Sequence, residues 1–207
     1  MTSANVTWHE GAVGRAERWQ SLGTRGATLW FTGLPASGKS TVAAAVEARL
    51  VREGRAAYRL DGDNLRHGVC GDLGFSAEDR EENVRRTAEV ARLLADAGTV
   101  AIVSVVSPFA AGRQAARALH ERDGLQFVEI FVNTPVEECE RRDPKGLYRR
   151  ARAGELQGMT GIDAPYEAPQ EPDVELLFGC DVGEAVEQVL SALDPVAAAA
   201  PGTRHGR

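Results

Sequence analysis

Short apolar runs alternate along the chain with segments whose apolar residues recur every three or four positions. Thr28 to Thr32 is a compact run of the kind a buried strand requires, and Val42 to Leu50 repeats Val, Ala and Leu at helical spacing, predicting a helix that reaches about Glu53. Ala56 to Leu60 predicts a second short strand. Ser76-Ala77-Glu78-Asp79 is a capping-box-like start, and a stripe of Val84, Ala88, Ala91 and Leu94 carries that helix to Ala97, where Gly98 closes it. Val100 to Val106 is an almost continuous β-branched run, the pattern of a strand covered on both faces. A helix over about 114–122 leads to a fourth strand at Phe127 to Val132, and Val174 to Phe178 predicts a fifth. Strands separated by helices imply right-handed crossovers, so the fold class is α/β: a three-layer sandwich with a mostly parallel sheet and helices on both faces.

Composition narrows the setting. At 207 residues the chain suits one well-buried α/β unit, expected over 26–194 after an N-terminal arm over 1–25. The Ala/Gly-rich segment that follows, 195–207, is expected to be disordered. A net charge of −6 argues against a nucleic-acid partner, whose footprint would be basic. Cys70, Cys139 and Cys180 are odd in number and lack metal-ligand spacing, so reduced thiols in a cytoplasmic protein are the expectation. The N-terminus has no long apolar stretch, and the run at Val100 to Val106 is far short of a membrane span, so no membrane association is expected.

The first chemistry-bearing motif lies between the first strand and the first helix. Gly33-Leu34-Pro35-Ala36-Ser37-Gly38-Lys39-Ser40 fits G-x-x-x-x-G-K-[ST], a phosphate-binding loop whose inward N–H groups and helix N-terminus cradle phosphate oxygens. Such a loop places Lys39 on the β- and γ-phosphates and Ser40 on Mg²⁺. The sandwich is therefore of the P-loop NTPase type. The third strand carries no terminal Asp to serve as the usual second metal ligand, so Asp61 and Asp63, just after the second strand, are the replacement metal and base carboxylates. Arg66, Arg80, Asn83 and Arg86 follow, with Phe75 among them. A second basic cluster, Arg141, Arg142, Lys145, Arg149, Arg150 and Arg152, is set against the single Asp143. Guanidinium groups facing a phosphate site suit anion recognition, and the Gly- and Pro-containing stretch 143–172 has the make-up of a mobile lid.

Taken in order, Gly33 to Thr41, Leu60-Asp61-Gly62-Asp63-Asn64-Leu65-Arg66-His67-Gly68, Asp72 to Ser76, Asp79-Arg80, Ser107-Pro108-Phe109, Asp143-Pro144-Lys145-Gly146-Leu147-Tyr148 and Thr160 to Glu167 resemble adenylylsulfate kinases. The resemblance runs from about Asn5 to Leu193. It implies transfer of the ATP γ-phosphoryl group to the 3′-hydroxyl of adenosine 5′-phosphosulfate, with Mg²⁺ accompanying ATP. In this light the catalytic residues are Lys39, Asp63, Asp61, Ser107 and Lys145, with Asp63 nearest the hydroxyl and Asp61 the alternative. ATP is expected on Gly33, Leu34, Pro35, Ala36, Ser37, Gly38, Lys39, Ser40, Thr41 and Arg141, and the metal on Ser40, Asp61 and Asp63. The acceptor is expected on Asp63, Arg66, Phe75, Arg80, Asn83, Val106, Ser107, Lys145 and Met159. Phe75 would stack on its adenine, while Met159 stands where family members commonly present a second aromatic. Ser107 is read as a substrate-positioning hydroxyl, a phosphoserine intermediate being the minority alternative because no base is assigned to it. Val6-Thr7-Trp8-His9 resembles an arm that contacts a neighbouring subunit, implying a homodimer. Two other readings stay open: another small-molecule kinase of this fold, or an ATP-binding regulatory module without catalysis.

Overall fold

The computed structural model describes residues 5–7, 9 and 11–193. Trp8 of the expected arm and all of the expected tail, 195–207, lie outside the described residues. Five strands, β1 (Ala27–Thr32), β2 (Ala57–Asp61), β3 (Val100–Ser104), β4 (Gln126–Asn133) and β5 (Val174–Leu177), pair in parallel in the order β2-β3-β1-β4-β5. The helices are α1 (Arg15–Leu22), α2 (Lys39–Arg52), α3 (Gly62–Leu65), α4 (Ala77–Ala97), α5 (Ala110–Arg122), α6 (Val136–Arg142), α7 (Leu147–Arg152) and α8 (Val182–Ser191).

Every residue of β1 is buried, because the strand is paired on both edges and covered on both faces. Side chains alternate between those faces. Leu29, Phe31, Ile102 and Ile130 pack with Val46 and Leu50 of α2 and with Val186 and Val189 of α8. Trp30, Val103 and Phe127 pack on the other side with Val84, Ala88 and Ala91 of α4 and Ala116 of α5. At about 1.5–3 kcal/mol for each large side chain taken out of water, these two layers are the main force holding the sheet. Helix α1 is tied to the end of α4 by polar contacts instead. Arg15 Nε donates to Asp96 Oδ1 at 2.6 Å, and the Trp19 indole N–H donates to Asp96 O at 3.1 Å.

Where the structure departs from the sequence expectation, local hydrogen bonding explains it. Strand β3 stops at Ser104 although the apolar run continues: the Val105 N–H still makes a ladder bond to Phe31 O (3.4 Å), and the chain then bends at Ser107, whose φ is 40°. Helix α5 begins at Ala110, before the expected Gln114, because the Glu167 carboxylate accepts the Ala110 N–H at 2.7 Å and supplies a cap from distant sequence. Strand β2 runs one residue further than expected, to Asp61. The expected helix after Ser76 is present, with Ser76 Oγ accepting the Asp79 N–H at 3.1 Å and Gly98 ending it. Tyr148 of α7 and Met159, within 143–172, join Cys139 of α6 in a small apolar cluster that packs against Leu34 and Ala36 of the phosphate loop.

Candidate functional site

The carboxyl ends of β1, β2 and β3 open into one cavity of about 480 Å³. Lys39, Ser40, Asp61, Asp63, Phe75 and Ser107 are among the residues on its walls.

The loop that connects β1 to α2 needs glycine at both ends. Gly33 has φ 150° and a Cβ there would stand 2.8 Å from Val132 O, while Gly38 has φ 106°. The loop is fixed from outside. Thr134 Oγ1 donates to Ser37 O at 2.9 Å, Arg142 Nη1 donates to the same oxygen at 3.2 Å, and Tyr148 OH donates to Pro35 O at 2.9 Å. Lys39 curls back into the loop and donates from Nζ to Gly33 O (3.0 Å) and Leu34 O (2.7 Å). Burial strips water from this ammonium and lowers its pKa from the usual lysine value to about 8. An arriving phosphate would restore the charge that burial disfavours.

Asp61 and Asp63 diverge sharply. Asp61 caps α3, its Oδ1 accepting the Asp63 N–H at 3.1 Å, while its Oδ2 accepts from Ser40 Oγ at 2.9 Å. Ser40 Oγ also lies 3.2 Å from Ser104 Oγ. This corner offers hydroxyl and carboxylate oxygens, the donor set of a hard cation such as Mg²⁺. Among the described residues, no three or more His, Cys, Asp and Glu gather to hold a metal by themselves. The fit is therefore to an ion that draws further ligands from phosphate and water. Asp63 is exposed and pairs with Lys145 from the 143–172 segment.

The far wall is cationic and aromatic. The Arg66 guanidinium lies 4.2 Å from the centre of the exposed Phe75 ring and that of Arg80 lies 5.7 Å from it. Arg66 Nη1 donates to Gly74 O (2.8 Å), and Arg80 donates to Thr160 Oγ1 (2.9 Å) and Gly158 O (2.6 Å). Among the described residues neither guanidinium forms a direct ion pair, and Asp163 compensates Arg80 only from a distance, so two positive charges face the cavity. Desolvation, with Arg66 nearby, lowers the pKa of Arg80. Asn83 is buried at the same wall, with its Nδ2 lacking a hydrogen-bond partner.

Ser107 is buried, and its Oγ accepts from the Trp30 indole N–H at 3.2 Å. Its carbonyl oxygen accepts from Arg113 Nη1 at 2.7 Å. Among the described residues, the non-glycine positions with positive φ are Ala36, Ser107 and Asp143, and all of them line the cavity. Strained backbone of this kind persists where the surroundings over-determine it.

Of the residues expected at the site, Arg66, Phe75, Arg80, Asn83, Val106, Ser107, Lys145 and Met159 line the cavity together with Lys39, Ser40 and both aspartates. Arg141 does not. It is exposed and pairs with Glu138, and its neighbour Arg142 reaches the phosphate loop instead. Arg86 is taken up by Asp72 and Glu82. Met159 touches the cavity but is 4% exposed, held in the cluster with Cys139 and Tyr148. The sequence assigns no site role to Trp30, Arg59 and Arg113, which lie outside every motif although they bond to Ser107 and Asp61. Arg142 is expected only as one of the basic cluster, and Tyr148 only as the end of the motif from Asp143, while their contacts to Ser37 and Pro35 join positions far apart in the chain.

The profile of the adenylylsulphate kinase family matches residues 25–177. The adenylyl-sulfate kinase of Enterobacter sp. (strain 638) is 54% identical over 189 residues, covering 91% of this chain and 93% of its own. That of Penicillium chrysogenum is 52% identical over 200 residues, covering 93% and 95%. The structure of the Mycobacterium tuberculosis APS kinase in complex with AMPPNP and APS superposes with a TM-score of 0.80 at 52% identity, covering 82% of this chain and 98% of that one. The family profile spans most of the chain and relatives of nearly the same length match it at about half their residues, so the chain that brings a phosphate loop, an acidic pair and a cationic aromatic wall into one cavity belongs to the adenylylsulphate kinase family.

Proposed function

We propose that the chain transfers the γ-phosphoryl group of ATP to the ribose 3′-hydroxyl of adenosine 5′-phosphosulfate, giving ADP and 3′-phosphoadenylyl sulfate for sulfate assimilation or activation. The observation that carries this reading is the pair of guanidiniums, Arg66 and Arg80, outside any direct ion pair among the described residues, beside an exposed aromatic ring and across one cavity from Lys39. An anionic nucleotide acceptor supplies the charge and the flat base that such a wall lacks.

In the reaction the 3′-oxygen bonds to the γ-phosphorus, the bond from that phosphorus to the β–γ bridging oxygen breaks, and the hydroxyl proton passes to Asp63. Phosphoryl transfer asks the protein for alignment and charge compensation. Lys39 follows the charge onto the leaving phosphate, and Lys145, already paired with Asp63, covers the transferring group from the 143–172 lid. Ser40 and Asp61 would hold Mg²⁺, which when bound neutralises β- and γ-phosphate oxygens. Arg142, against the loop and 5.6 Å from the Phe178 ring centre, contributes to the ATP side. Direct transfer is favoured over a phosphoserine. The neighbour of Ser107 Oγ is an indole N–H donor, which cannot take its proton.

A homodimer through the N-terminal arm is supported by exposed Val6, Val13 and Leu22. Among the described residues no helix is long and apolar enough to cross a membrane, and all three cysteines are free, which supports a cytoplasmic setting. The deciding experiment is ADP release with adenosine 5′-phosphosulfate, adenosine monophosphate or gluconate as acceptor. Turnover with the first alone is expected. Preference for another acceptor would make the chain a different small-molecule kinase, and ATP binding without ADP release on any acceptor would make it a silent module.

A further inference from the structure

Arg59 stands on the sheet-edge strand β2 two residues before Asp61, so the two side chains share one face of the strand. Its Nη1 donates at 2.9 Å to Asp61 Oδ2, the same oxygen that accepts from Ser40 Oγ at 2.9 Å. Glu47 of α2 holds the other side. Its Oε1 accepts the Arg59 backbone N–H at 2.8 Å, and its Oε2 lies 3.6 Å from Arg59 Nε. The side chains are shielded, at 27% exposure for Arg59, 12% for Asp61 and 30% for Glu47, so their charges are screened less than those of a surface pair.

We infer that Arg59 is a positioning residue that sets the cation affinity of the Ser40–Asp61 corner and makes retention of the divalent ion depend on bound nucleotide. The inference rests on the phosphoryl-transfer reading above. With Arg59 and Lys39 both beside Asp61, the corner has no net negative charge from these three groups, and Oδ2 already accepts from two donors, Arg59 and Ser40. A divalent cation then gains little from the protein alone. It enters with phosphate oxygens and departs with them, while the guanidinium keeps the carboxylate turned toward Ser40. Glu47 moderates the effect by sharing the positive charge of Arg59.

Mn²⁺ is the probe, its free fraction read by electron paramagnetic resonance with the nucleotide-free enzyme and with the enzyme saturated by ADP. Arg59→Met keeps the apolar stem and removes the charge, and it is expected to tighten Mn²⁺ in the ADP complex at least about fivefold, with measurable binding appearing without nucleotide. Glu47→Gln leaves the guanidinium unshared and is expected to weaken Mn²⁺ by about two- to threefold. Arg59→Lys, which keeps the charge, stays within about twofold of wild type. A residue that only supports the fold would lower thermal stability without moving Mn²⁺ affinity in opposite directions. Should Arg59→Met fail to fold, Glu47→Gln decides alone. Unchanged or weaker Mn²⁺ binding in Arg59→Met, or unchanged binding in Glu47→Gln, overturns the inference. If ADP recruits no Mn²⁺ in any of these proteins, the kinase reading itself falls, and this inference with it.

Discussion

Asp61 and Asp63 sit two positions apart, yet their surroundings assign them different work. Asp61 is fixed on both oxygens by a backbone N–H, a serine hydroxyl and a guanidinium, whereas Asp63 is exposed and its carboxylate pairs with Lys145. Asp63→Asn is therefore expected to lower turnover at least about 10²-fold while ATP affinity stays within a few-fold, the scale of losing a positioned base. Asp61→Asn should chiefly raise the Mg²⁺ concentration needed for half-maximal rate. Steady-state kinetics over Mg²⁺ separates the two, and unchanged turnover in Asp63→Asn would reverse the roles. Met159 gives a second prediction. An aromatic replacement would suit a base-stacking position, but the thioether is packed against Cys139 and Tyr148, so Met159→Phe should cost about 1–3 kcal/mol by overpacking. Thermal unfolding checks this, and a stabilised or unchanged protein would place the side chain toward the acceptor. The chemistry of these residues was legible in the sequence because each motif is a contiguous string. Their partners were not, since the Lys145–Asp63 pair and the Trp30–Ser107 bond join positions 82 and 77 residues apart.

At the scale of elements, the switch from β3 to α5 is held by a residue that no motif marks. Arg113, 3% exposed, donates from Nε to Glu129 Oε1 and from its two terminal nitrogens to Ser107 O and Glu167 O, each at 2.7 Å. One guanidinium thus joins α5, β4, the bend at Ser107 and the end of the 160–167 segment. Arg113→Ala should destabilise by about 3 kcal/mol, because it leaves the shielded Glu129 with only the longer 3.8 Å contact to Arg117 among the described residues. Removing both partners should cost less than the sum of the single changes. Chemical denaturation of the two single variants and the double variant measures this, and simple additivity would contradict the shared network. The buried strands and the long helices α2 and α4 were legible because apolar periodicity is a local signal. The short helices α3, α6 and α7 were not, since four to seven residues carry too little periodicity, and the start of α5 depended on a carboxylate 57 positions away.

For the molecule as a whole, acid sensitivity has an identifiable contributor. His120 is fully buried under the sheet, with Nδ1 2.7 Å from Ala116 O and Nε2 2.9 Å from Thr28 Oγ1. Burial lowers its pKa below the usual histidine value, an effect partly offset by the Ala116 carbonyl. The unfolded chain therefore binds the proton more readily, and stability falls as pH drops through the unfolded value near about 6.5 toward the lower folded one. Melting temperatures between pH 7.5 and 5.5 should decline, and His120→Gln should flatten that decline even if it melts lower throughout. An identical slope in the variant would move the effect to other groups. The strand order has a further consequence for a chain still being synthesised. Strand β1, which ends in the phosphate loop, has β3 on one side and β4 on the other. A nascent polypeptide that has already exposed the whole phosphate motif still lacks the β4 flank, the Thr134 clasp on Ser37 and the Tyr148 hydroxyl on Pro35. Nucleotide cannot serve such a chain as an early template, and ATP capture should begin only after roughly three quarters of the protein has left the ribosome.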